Sequence, residues 1–179
     1  MPQLIEPTIR VRHCESKSEL KRSLISGNIP FVLLGENDES PREFTILDVL
    51  DKSLHIGMIG VASYGGGIRP EHLVKAGKIF IGYNQRVAII ELKSLDLFAE
   101  VDLLSIFWEF IRLPSFLGVV VLCESAVVAL SDLGQILWRQ DTDLVKTHQI
   151  HGSEMILTFE DSPACRIELT SGKNVLRDR

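Results

Sequence analysis

The chain has 179 residues, of which 45% are hydrophobic and 24% charged, and a formal net charge of −5. That length suits a single domain with a full core. The acidic balance and the lack of any run of Lys and Arg speak against a nucleic-acid partner, because such surfaces need clustered cations to neutralise phosphates.

At the amino terminus, MPQLIEPTIRVRH interrupts its apolar residues with Pro and Glu, so no export signal is expected. Leu4 to Val11 reads as an edge strand broken by Pro7. Ser16 and Glu19 then form a Ser-x-x-Glu capping box that opens a helix of about ten residues. Leu20, Leu24 and Ile25 supply its apolar stripe, Lys17, Lys21 and Arg22 face solvent, and Gly27 closes it. IPFVLLG is a short strand and ENDESPRE an acidic, turn-rich loop. FTILDVL and LHIGMIGVAS are β-branched strand candidates. YGGGIRPEH is a loop, after which Pro70 is expected to open one helical turn through PEHLVKAG.

From Lys78 onward a period of about 40 residues emerges. Three units end in Leu92, Leu130 and Leu169, each built as an apolar strand, a short polar turn and a second apolar strand. Each is followed by another turn: KSLD, SDLG and TSGK. The run FLGVVVLCESAVVAL is broken by Glu124 and Ser125 and is shorter than the roughly 20 residues of a spanning helix. It therefore reads as two buried strands, and no membrane partner is expected. Asp132-Leu133-Gly134 makes a hairpin turn, and Trp138 on the following strand offers a large face for packing one hairpin layer against the next.

Ala129, Leu130, Asp132, Gly134 and Trp138 resemble the blade repeat of quinoprotein-type β-propellers, with a turn one residue shorter. The resemblance implies blade-like antiparallel hairpins and no quinone cofactor. The other two units lack the tryptophan, and the third is expected to stop before its last strand is complete. With only about 100 repeating residues, closure within one chain is not expected, since a propeller needs at least four blades of roughly 40. The predicted fold is mainly β (α+β): antiparallel hairpin repeats in a curved or partly wrapped sheet, with one short amino-terminal helix. Residues 1–179 form one domain, with a strand/helix/strand part at 1–76 and the repeats at 77–179.

Functional signals are sparse. Gly65, Gly66 and Gly67, beside Arg69 and His72, could let backbone amides approach an anionic small ligand, although their spacing fits no nucleotide motif. His148 and His151 are three apart, which on a strand sends them to opposite faces, so no metal is expected. Asp141 and Asp143, and Glu36, Asp38 and Glu39, read as acidic surface turns. LLSIFWEFIRLPSF is apolar on both parities, as a buried or interface segment would be, so Phe107, Trp108 and Phe110, with Trp138, are the candidate interface. Cys14, Cys123 and Cys165, odd in number and far apart, read as reduced thiols of a cytoplasmic protein. The expected role is non-catalytic: an interaction or accessory protein, for instance of the immunity type, that binds another protein or itself and needs no cofactor. The alternative is a small-molecule- or anion-binding protein or enzyme with its site at Gly65–Gly67.

Overall fold

The computed structural model describes residues 7–38, 40–65, 68–113, 116 and 118–177. Their strands are gathered into four separate four-stranded sheets. The chain forms two compact units, Met1–Asn84 with Ile90–Phe98, and Gln85–Ile89 with Ala99–Arg179.

The first sheet contains β1 (Thr8–Cys14), β2 (Phe31–Leu34), β3 (Glu43–Asp51) and β4 (Leu54–Ser63), in the order β1-β3-β4-β2. Strand β1 runs past its expected end because it pairs with β3 along its whole length, from Thr8 opposite Leu50 to Cys14 opposite Phe44. Leu4 to Glu6 lie outside the described residues. β2 pairs with β4 in parallel, which the helical crossover before it permits. That helix, α1 (Lys17–Ser26), begins as its capping box dictates: the Glu19 amide donates to Ser16 Oγ at 3.2 Å. The Glu19 carboxylate returns to the amide of Glu15 at 2.7 Å. Leu20 and Leu24 pack with Ile46 and Met58 of the sheet. Ile25, expected on the same stripe, is instead 70% exposed, because it follows Leu24 by one position and so points about 100° away.

The second sheet contains β5 (Glu71–Lys75), β6 (Lys78–Tyr83), β7 (Arg86–Glu91) and β8 (Leu97–Asp102), in sequential order. Strand β5 replaces the helical turn expected after Pro70. Its backbone groups pair with β6, from Glu71 opposite Gly82 to Lys75 opposite Lys78. Ala76 and Gly77 both have positive φ, as a two-residue hairpin turn of the primed type demands.

The third sheet repeats this meander with β9 (Phe107–Ile111), β10 (Val119–Cys123), β11 (Ala126–Leu130) and β12 (Ile136–Asp141). The fourth does so with β13 (Val145–His151), β14 (Glu154–Phe159), β15 (Cys165–Glu168) and β16 (Asn174–Arg177). The third repeat unit therefore enters its last strand at Asn174. β16 pairs with β15 from Cys165 opposite Arg177 to Ile167 opposite Asn174. β10 and β11, the two strands of the longest apolar run, are buried on both faces. In β14, by contrast, Met155 and Leu157 enter the core while Glu154, Ile156 and Thr158 between them are only partly covered. The exposed side carries ion pairs and hydrogen bonds: Arg166 with Glu154 at 3.5 Å, and the hydroxyls of Thr147 and Thr158 at 2.6 Å. The mainly β, antiparallel-hairpin character with one short helix is as the sequence implies, and among the described residues no sheet closes on itself.

The repeat sets a steric rule at equivalent turns. A Cβ added at Gly172, in the β15–β16 turn, would lie 2.6 Å from the Trp138 ring. Trp138 is thus the packing face expected of it, joining the cluster that contains Leu122, Ala129, Met155 and Ile167. At the corresponding β11–β12 turn, a Cβ on Gly134 would lie 3.2 Å from Ala99, which stands one repeat before Trp138. At the β7–β8 turn the same place holds Leu95, whose Cδ1 lies where a side chain at Gly57 would have to go.

Candidate functional site

Beside the described part of the glycine loop stands a carboxylate, Glu43. A Cβ at Gly65 would lie 3.1 Å from the Glu43 carboxylate. The neighbouring Tyr64 amide is taken by Asn84 Oδ1 at 2.8 Å, and Asn84 Nδ2 donates to Asp38 at 2.6 Å. Arg69 is exposed, and His72 lies half-buried on β5 opposite Ile81. Gly66 and Gly67 lie outside the described residues.

The aromatic segment is spent on the core. Phe107 and Phe110 are buried, with ring centroids 5.0 Å apart. Trp108 and Trp138 are half-buried and pack against the core of the third and fourth sheets. The indole Nε1 of Trp138 is buried and finds no hydrogen-bond partner among the described residues.

His148 and His151 both lie on β13, so their spacing of three sends them to opposite faces. His148 Nε2 approaches Glu109 at 3.4 Å. Among the described residues no three His, Cys, Asp or Glu side chains are placed to hold a metal. All three cysteines are free thiols. Burial pushes Cys123 up to about 12, so it stays protonated and unreactive at neutral pH. Two further features have no local signal in the sequence.

The first is apolar surface on outer strands. Ile136 and Leu137, consecutive on β12, are each about half exposed, and Leu133 is equally open in the turn before them. Among the described residues strand β12 ends its sheet, with β11 as its single neighbour, so one row of backbone groups is unpaired by the sheet. Adjacent apolar residues at the start of a strand leave no alternation to flag which one faces out, so their exposure was not legible.

The second is a pair of adjoining clefts at one end of the fourth sheet. The larger, about 580 Å³, is lined by Asp141, Asp143, Phe159, Ser162, Pro163 and Cys165 among others. The smaller, about 400 Å³, shares Asp143, Phe159 and Ser162 and adds Leu144, Glu160 and Asp161. These residues come from around the β12–β13 connection and the β14–β15 turn, at least 15 positions apart, which read separately as an acidic turn and a short polar turn.

No protein-family model matches the chain. No curated protein matches it. Solved structures do resemble it. Dihydro-heme d1 dehydrogenase NirN in complex with DHE is 10% identical over 74% of this chain and 32% of its own, with a TM-score of 0.53. Hydrazine synthase of Kuenenia stuttgartiensis is 12% identical over 74% of this chain and 42% of its own, with a TM-score of 0.54. BamB from Moraxella catarrhalis is 11% identical over 83% of this chain and 52% of its own, with a TM-score of 0.50. These are β-propeller proteins, and the likeness shows a propeller-like fold made of blade repeats. The chain spans between about a third and a half of the length of these structures. No helix among the described residues is long and apolar enough to cross a membrane.

Proposed function

We propose that the protein is a non-catalytic interaction module that binds another protein, or a second copy of itself, through the outer edge of its third sheet. The observation that carries this reading is the exposed apolar group Leu133, Ile136 and Leu137 on and beside an edge strand. Exposed apolar area beside unpaired backbone is what an added strand or an apolar partner segment covers. The three free thiols support a cytoplasmic setting, where disulfides do not persist.

The test is a double variant, Ile136→Asp with Leu137→Asp, compared with the wild type in sedimentation velocity and in quantitative affinity capture from the source cells. The expected result is that a particular companion, or self-association, is present for the wild type and lost in the variant. Identical sedimentation and an identical set of captured proteins would remove the edge as the binding surface.

A further inference from the structure

We propose that the paired clefts of the fourth sheet hold a short partner segment carrying a basic residue flanked by apolar ones. This deepens the interaction reading and places a second contact at a different surface. Size comes first: about 580 and 400 Å³ fall within the roughly 300–1,000 Å³ of ligand-binding clefts. The lining is of two kinds. Phe159 faces both clefts, Pro163 adds apolar surface to the larger, and the exposed Leu144 does so for the smaller.

The carboxylates supply the sign. Two of the four have local cations: Asp141 accepts from Arg139 Nε at 2.6 Å, and Glu160 lies 3.5 Å from Lys146 Nζ. Arg139 is also committed to the Leu103 carbonyl. Asp143 and Asp161 have no ion pair or side-chain hydrogen bond among the described residues, and both line the smaller cleft. The lining therefore carries two uncompensated negative charges next to apolar surface. A guanidinium or ammonium on an apolar-flanked stem satisfies both requirements, with the head on the carboxylates and the stem along Phe159. An anionic or wholly apolar segment satisfies one at most.

The probe is a fluorescein-labelled peptide, Ala-Leu-Arg-Leu-Lys-Ala-Gly, read by anisotropy, with its Glu-for-Arg and Glu-for-Lys counterpart as control. Binding of the basic peptide should weaken roughly tenfold in Asp143→Asn with Asp161→Asn. It should weaken several-fold in Leu144→Ser, and hardly at all when two exposed acids elsewhere are neutralised, Asp51→Asn with Asp96→Asn. Amide shifts in a 15N-labelled sample should cluster at residues 140–146 and 159–165. No binding, equal loss in both double-Asn variants, or shifts confined to residues 133–137 would overturn the proposal. Because Ile136→Asp with Leu137→Asp leaves the clefts intact, loss of peptide binding with unchanged capture, or the reverse, separates failure of this proposal from failure of the edge reading.

Discussion

In the β15–β16 turn a glycine, Gly172, lies against a large ring, Trp138; in the β7–β8 turn the equivalent place is filled by Leu95, which lies against a glycine, Gly57. Both places have left-handed backbone, at φ +70 for Gly172 and +58 for Leu95. The two turns thus reach close packing by opposite allocations of volume. At the middle junction, where Gly134 faces only the methyl of Ala99, Ile89 and Val101 supply the volume instead. A repeat of this kind tolerates divergence, because either partner can shrink if the other grows.

The largest effect expected from this contrast is at Gly172. Substitution by alanine places a methyl 2.6 Å from a ring that is packed into the core and cannot swing aside like the end of a flexible chain. The left-handed backbone adds about 1–2 kcal/mol and overpacking about 1–3 kcal/mol, for a loss of roughly 2–5 kcal/mol in urea denaturation. With Trp138→Ala already in place, only the backbone cost should remain. Gly134→Ala, which meets the Cβ of Ala99 at 3.2 Å, should likewise cost little beyond about 1–2 kcal/mol. Equal losses at Gly134 and Gly172 would show that the ring contact contributes nothing.

A smaller effect is expected at the reversed junction. Leu95→Gly relieves about 1–2 kcal/mol of backbone strain but deletes a side chain that is 4% exposed, a loss of about 2–5 kcal/mol, so the variant should be destabilised overall. Gly57→Ala should also destabilise, since its methyl would meet Leu95 and also the Pro30 carbonyl at 2.9 Å. Together the two should cost about 1–2 kcal/mol less than their separate effects, because the first removes half of the second's obstruction. Strict additivity would mean that the Pro30 carbonyl alone forbids a side chain at residue 57.

These junctions also mark what the sequence makes legible. Gly134 and Trp138 could be read because only glycine suits positive φ cheaply and a tryptophan on a short strand needs a flat partner. Leu95 could not, since nothing in KSLD announces a left-handed leucine. The helix was legible through Ser16 and Glu19, whose hydrogen bonds are local. The strand at Glu71–Lys75 was not, because pairing with β6 decides it against the local cue of Pro70. Phe107 and Phe110 stand out in the sequence as apolar on both parities, but only tertiary packing decides that both rings are buried. The clefts escaped notice for a related reason. Asp143 and Asp161 are ordinary turn acids until the fold brings their turns to one end.

The smallest effect sharpens the same contrast between the amino-terminal and carboxyl-terminal units. Glu36 is held below its ordinary value of 4.5 chiefly by a hydrogen bond from Lys21, with the charges of Lys21 and Lys17 adding to it. Glu168, in the last sheet, is lowered chiefly by the hydroxyl of Thr170 at 2.8 Å, and further by Ser153. In both, the folded state binds the proton less readily than the unfolded chain, so each contributes stability above about pH 4.5 that is lost as pH falls through the folded value. The denaturation midpoints of Glu36→Gln and Glu168→Gln should therefore lie slightly below that of the wild type at pH 7 and converge with it near pH 3. Both carboxylates are exposed, so the gaps are small. Salt tells them apart: at about 0.5 M the Glu36 gap should shrink, because it depends on lysine charges, whereas the Glu168 gap should persist, because its donors are neutral hydroxyls. Equal sensitivity to salt would place Glu168, too, in the field of a cation.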